Sequence, residues 1–145
     1  MNGITLEVIW FDNDMTEVLL RCSNGYFSGQ AEIYLANDGF EGIAQTLRGF
    51  PSTPSDSRDI GIGTFNPEHA DGGARMHFHC LDSPGHAAVD VQLRGDGSKG
   101  LGEVQSVALR IPIEAAAIDR FIQELRAIDK TVGARATLHQ TGRVD

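Results

Sequence analysis

The sequence predicts an α+β protein: a single, mainly antiparallel sheet of about six or seven strands with two helices packed on one of its faces. Three observations lead there. β-rich segments come in pairs, separated by turn-forming residues, on both sides of a first helical segment. The order is strands, helix, strands, helix, with no βαβ alternation opened by a glycine fingerprint. Within each pair, apolar and polar residues alternate with period two, which gives a sheet one buried and one wet face.

ITLEVIWFD (4–12) and TEVLLRC (16–22), joined by the turn-like DNDM, read as the first hairpin. In SNGYFSGQAEIYLA, Asn24-Gly25 is the strongest short hairpin signal, because both central residues of a type I′ turn need positive φ. Pairing Ser23 with Tyr26 sets Cys22 against Phe27, Leu20 against Gly29 and Val18 against Ala31, an apolar row that continues to Ile33 and Leu35. Glu17, Leu19 and Arg21 then face Ser28, Gln30 and Glu32 on the wet side, with Tyr34 beyond. FEGIAQTLRGF puts Phe40, Ile43, Ala44 and Leu47 on one helical stripe, stopped at Gly49-Phe50-Pro51. PSTPSDSRD (51–59) has no period and reads as a loop, DIGIGTF as a glycine-laced strand, and NPEHADGG (66–73) as a second loop.

RMHFHCLDSPGHAAVDVQLR (75–94) is the next hairpin, its register set by the DSPG turn. Leu81 opposite His86 places Cys80 against Ala87, Phe78 against Val89 and Met76 against Val91. Arg75, His77 and His79 then face Gln92, Asp90 and Ala88. After the turn GDGSKGLG (95–102), EVQSVALRI alternates with Val107, Leu109 and Ile111 inward. Pro112 is expected to open the second helix at its favoured first position, with Ile118, Phe121, Ile122, Leu125 and Ile128 on one face. Both halves run hairpin then helix, and Cys22 and Cys80 each end an inward row, but the extra strand in the second half makes the match too loose for a repeat. Residues 1–128 form a single α+β domain on this reading, and 129–145 a C-terminal tail or a short added strand.

A chain of 145 residues can bury one core without disulfides or a structural metal. Two cysteines 58 positions apart fit neither a disulfide framework nor a paired zinc motif, and no charged-then-apolar leader precedes the first strand, so a reduced, cytoplasmic protein is expected. Apolar runs fall far short of the ~20 residues that cross a bilayer, so no membrane association is expected. The net charge of −8 is uneven: residues 1–50 hold seven acidic side chains against two basic, whereas 101–145 hold six of each. No cluster of Lys and Arg with interleaved aromatics is present, which disfavours nucleic acid. The acidity permits a basic protein partner.

Three histidines, a cysteine and two aspartates in residues 75–94 raise the question of a site. His77 and His79 share a strand face opposite Asp90, a geometry that can hold zinc or iron, with His86 or His69 as a further donor. The competing reading, favoured here, is a solvated row with an ordinary cross-strand pair. Both cysteines lie in apolar rows, where a thiol behaves as a small hydrophobe and its pKa rises. Ser83 beside His86 is adjacency in a turn and no triad. GIGTFNPEHADGG (61–73) lacks the Lys-Ser/Thr of a phosphate loop, and DNDMTE lacks the donors of a calcium loop. No catalytic residue and no cofactor are assigned.

At SNGYFSG, LRGFP and above all HFHCLDSPGHAAVDVQLRGD followed by VALRIPIEAAAIDRFIQELR, the chain resembles a family of small uncharacterised bacterial proteins, over roughly residues 8–128. The resemblance implies the same domain boundaries and no activity. More distantly, in size, class and charge, the chain is similar to immunity proteins of bacterial toxin systems. The leading expectation is a non-catalytic binding protein, of the immunity type that neutralises a basic toxin, with Asp12, Asp14, Glu17 and Glu32 as contacts. A metal-dependent enzyme using His77, His79, Asp90 and His86 is the alternative. A sheet face interrupted by Leu19, Tyr34, Ala88 and Ala108 would suit a two-fold homodimer.

Overall fold

The computed structural model describes residues 2–66, 71–83, 85–96 and 104–142. Its elements are β1 (Gly3–Phe11), β2 (Met15–Ser23), β3 (Ser28–Ala36), α1 (Gly39–Leu47), β4 (Ser57–Gly63), β5 (Gly73–Ser83), β6 (His86–Arg94), β7 (Ser106–Ile113), α2 (Ala115–Ala127) and β8 (Arg135–His139). The strands divide into two four-stranded sheets, ordered β3-β2-β1-β8 and β4-β5-β6-β7, with every neighbouring pair antiparallel. The single sheet expected from the sequence is thus two. The physical reason is that an apolar row records only that a face is covered: a second sheet covers it as well as a helix does. Leu19 and Tyr34 consequently belong to one sheet and Ala88 and Ala108 to the other, so the four residues do not share a sheet face.

Strand order and register reveal a repeat that the cysteines do not mark. β1-β2-β3-α1-β4 and β5-β6-β7-α2-β8 are two βββαβ units, and each sends its last strand to the other: β4 pairs with β5, and β8 pairs with β1. Val8, Val18 and Ile33 line up across one sheet as Phe78, Val89 and Ile111 do across the other. One layer on, Ala136, Leu6, Leu20 and Ala31 correspond to Ile60, Met76, Val91 and Leu109. All fourteen of these side chains are buried, and all but Val8 fall in one continuous hydrophobic cluster with the inner faces of α1 and α2. α1 and α2 pack on each other, α2 also on β8 and α1 on β4. Burying Ile118, Phe121, Ile122 and Leu125 of α2 contributes roughly 1.5–3 kcal/mol per side chain.

In the next layer the two units meet. Gly29 of β3 and Val107 of β7 occupy equivalent positions, opposite Cys22 and Leu93 respectively. A Cβ on Gly29 would stand 2.5 Å from Val107 Cγ1. Two equivalent side chains cannot fill one space, so one position is glycine. The crossing also carries polar links. Asn24 Nδ2 donates to the Arg110 carbonyl at 3.0 Å, Thr141 N to the Pro112 carbonyl at 2.9 Å, and Gly72 N to the Glu32 carbonyl at 3.2 Å.

Two local expectations are corrected. Pro112 does not open the helix: it lies in β7 opposite Ala88, and α2 starts at Ala115. β7 is an edge strand, where a residue without an N–H is tolerated. The β2–β3 register is shifted by two, with Ser23 opposite Ser28 and Leu20 opposite Ala31. Asn24 does not take positive φ; its side chain instead accepts the Tyr26 and Phe27 amides at 2.9 Å each and lengthens the turn. A shift of two keeps every residue on its own face. The β5–β6 register is as expected from Met76 to Cys80, ending in a bulge that pairs Ser83 with His86.

The stretch 51–59, without a period in sequence, is ordered by one ion pair. Asp56 accepts from Arg58 Nε at 3.0 Å and Nη2 at 2.8 Å, and from Ser52 N at 2.8 Å. Arg58 Nη1 in turn donates to the Thr46 and Arg48 carbonyls at 2.8 and 3.0 Å, tying the end of α1 to β4.

Two outcomes follow from this arrangement. Gly29→Val should destabilise the protein by about 1–3 kcal/mol in urea unfolding, and adding Val107→Ala should recover most of the loss. Arg58 and the Ser52 amide hold the Asp56 carboxyl well below the ordinary carboxylate range. A depressed folded-state pKa adds stability above the unfolded value of about 4, and that gain is lost as pH falls toward the folded value. Asp56→Asn should therefore lower Tm at neutral pH, with the difference from wild type shrinking as the solution is acidified below about pH 4.

Candidate functional site

The outer face of the second sheet carries the histidines. His77 stands opposite Asp90 in one ladder and opposite Asp59 in the other, and it pairs with Asp59, while His79 reaches Asp90 diagonally. His77 Nδ1 lies 2.7 Å from Asp59 Oδ1 on β4, His79 Nε2 lies 2.9 Å from Asp90 Oδ2, and His86 Nδ1 lies 2.9 Å from Asp82 Oδ1. The His77 and His79 rings stack at 5.1 Å between centroids. Arg110 reaches Asp90 through Nε at 2.6 Å and Nη2 at 3.1 Å, and with help from His79 it holds that carboxyl below its usual range.

Three imidazoles are thereby distributed over three separate carboxylates. Among the described residues, no group of three His, Cys, Asp or Glu side chains could hold a metal ion, which overturns the metal-dependent enzyme built on His77, His79, Asp90 and His86. His69, the other donor considered, lies outside the described residues. The period-two pattern correctly places His77, His79 and Asp90 on one face. It cannot say which way the side chains lean, and it could not foresee Asp59, whose strand begins in a stretch without periodicity. Cys22 is buried, and that burial pushes its thiol up to about 11, as expected for a small hydrophobe.

The acidic candidates lie on the first sheet. A bulge after Val8 brings Trp10 opposite Glu17, and Glu17 is opposite Tyr34, so the three form one row across β1, β2 and β3. Trp10, 45% exposed, packs edge-on against Tyr34 with ring centroids 6.3 Å apart. Glu32 follows two residues before Tyr34 on the same face, opposite Leu19. Asp71 accepts the Tyr34 amide at 3.2 Å; burial raises its carboxyl above the usual range, and the charges of Asp96 and Glu17 add to the effect. Glu17, Glu32, Asp71 and Asp96 thus gather around β3, an edge strand of its sheet.

Asp12 and Asp14 occupy the β1–β2 turn. Asp12 Oδ1 accepts the Asp14 and Met15 amides at 2.8 Å each, and these bonds hold its carboxyl below the usual range. Asp71 and Asp96 were not singled out in the sequence, because residues distant along the chain join the row only through the fold. The Trp10–Glu17 pairing had a signal: the alternation of Ile4, Leu6 and Val8 breaks at the consecutive apolar Ile9, Trp10 and Phe11. A bulge is what such a break implies.

Comparison of the chain with protein-family models, with curated proteins and with solved structures finds no match. No described helix is long and apolar enough to cross a membrane. If the histidines serve only local pairs, protein purified without a histidine tag should retain no stoichiometric zinc or iron by atomic emission. His77→Ala, at an exposed site, should then change unfolding stability by no more than about 0.5 kcal/mol.

Proposed function

We propose that this chain is a non-catalytic binding protein that receives a basic protein partner on the outer face of its first sheet, in the manner of an immunity-type protein neutralising a basic toxin. The row Trp10–Glu17–Tyr34 is the observation that carries the reading. An exposed indole braced by a second ring, with a carboxylate between them, offers a lysine or arginine both a π face and a counter-charge. Aromatic anchors of this kind concentrate binding energy, while surrounding charges set the encounter rate. Glu32, Asp71 and Asp96 extend the negative field around the row, and the chain's net −8 has the same sign.

Within this reading the candidate contacts differ in role. Glu17 and Glu32 lie beside the aromatic pair on the sheet face. Asp12 shapes the adjoining turn through its two amide bonds, and Asp14 borders the row from that turn. The basic proteins encoded by genes adjoining this one are the partners to test, by surface plasmon resonance against the immobilised chain. Complex formation with one of them should show an association rate that falls several-fold from about 50 to 300 mM salt, as steering through an ~8–10 Å Debye length requires. Glu17→Lys with Glu32→Lys should slow association about tenfold, and Trp10→Ala should mainly speed dissociation. Binding insensitive to the double charge reversal would refute the assignment of this face.

A further inference from the structure

Arg94 is the feature of the molecule least explained by folding alone. It lies on the outer face near the end of β6, opposite Gly73 and Ser106, yet it is only 3% exposed. Its Nη1 donates to the Thr64 and Asp71 carbonyls at 2.9 and 2.7 Å. Both Nε and Nη2 are buried and, among the described residues, have no hydrogen-bond partner. A buried guanidinium with donors unmet is costly to hold, since charged groups removed from water need both counter-charge and hydrogen bonds.

The same arginine lines a cavity of about 480 Å³ together with Phe65, Arg75, Gln92 and Ser106, walled by Val104, Val107 and Ala108. That size is within the range of small-molecule sites. Arg75 and Gln92 are cross-strand neighbours on the outer face. The Arg75 guanidinium is held 4.1 Å over the Phe65 ring, which orders it without using its donors. Among the described lining residues there are two arginines, an amide and a hydroxyl, and no carboxylate. In a protein of net charge −8, the described lining is positive and donor-rich, with an apolar wall.

We infer that this cavity binds a small organic oxyanion: a carboxylate or phosphate group near Arg75, Gln92 and Ser106 over the buried charge of Arg94, with an apolar or aromatic body against Phe65, Val104 and Ala108. Fork-shaped guanidinium donors match the geometry of both acid groups. The site adjoins the acidic group around β3 at Asp71, whose carbonyl Arg94 holds, and its assignment does not rest on the one made there.

The test is titration of the full-length protein with benzoate, phenyl phosphate, inorganic phosphate and benzylamine, followed by the NMR resonance of the Arg94 side-chain Nε–H and by calorimetry. Benzoate or phenyl phosphate should move the Arg94 resonance saturably at concentrations up to about 10 mM, a range reporting weak millimolar sites. Inorganic phosphate should bind at least about tenfold more weakly for want of an apolar body, and benzylamine should not bind. Arg75→Gln, at an exposed position that leaves Arg94 in place, should weaken the organic anion about tenfold, as loss of one charged hydrogen bond does; Gln92→Leu gives a second variant outside the core. No saturable shift with either organic anion, equal binding of benzylamine, or affinity unchanged in both variants overturns the site. Inorganic phosphate binding as tightly as phenyl phosphate overturns the organic class of ligand.

Discussion

The crossing of β3 and β7 is the constraint on which the rest of this structure depends. Gly29 and Val107 are equivalent residues of two equivalent units, and they meet at a separation where only one can carry a side chain. The close approach lets each sheet reach the other's end. It places Asn24 against the Arg110 carbonyl on one side and Gly72 against the Glu32 carbonyl on the other. These links satisfy backbone and side-chain groups that a sheet end would otherwise leave to solvent. Neither unit closes its own sheet, because its fourth strand comes from the other. β4 and β8 make the domain indivisible in a way that hydrophobic burial alone would not.

This interdependence explains how much of the fold was legible. Alternation identified the inward residues of β2, β3, β5, β6 and β7 because period two is a local property. The tight β5–β6 turn also set a correct register from Met76 to Cys80. At β2–β3 the same logic slipped by two, since Asn24 spends its side chain on the Tyr26 and Phe27 amides and does not enter the left-handed region. The faces survived because the slip was even. Two sheets could not be told from one, for nothing in residues 57–63 or 135–139 records which distant strand they will join. Pro112 misled in the other direction: its preference for a helix start is real, but an edge strand accepts it equally well.

The candidate surfaces divide in the same manner. His77, His79 and Asp90 were rightly placed together on one face, because the hairpin that carries them is local. Their actual pairings depend on Asp59 and Arg110, which arrive from β4 and β7. Asp90, taken by Arg110 and His79 together, was already committed to an ion-pair network when viewed as a metal ligand. The acidic row likewise needed the bulge after Val8 to bring Trp10 into line with Glu17 and Tyr34. The buried Arg94 left no trace at all, since an arginine closing a strand before Gly95-Asp96-Gly97 reads as an exposed end.

Comparing equivalent positions of the two units separates scaffold from chemistry. Inside, the register matches aliphatic to aliphatic or aromatic: Val8 with Phe78, Leu20 with Val91, Ile33 with Ile111. Outside, the same register sets Glu7 against His77, Leu19 against Asp90, Thr5 against Arg75 and Glu32 against Arg110. Packing requires that the inner rows stay apolar, whereas a wet face tolerates any polar residue at small cost. The two outer faces therefore carry different chemistry on one repeated frame. Around β3 carboxylates surround an aromatic pair, and at the β5–β7 end arginines and an amide surround an apolar wall.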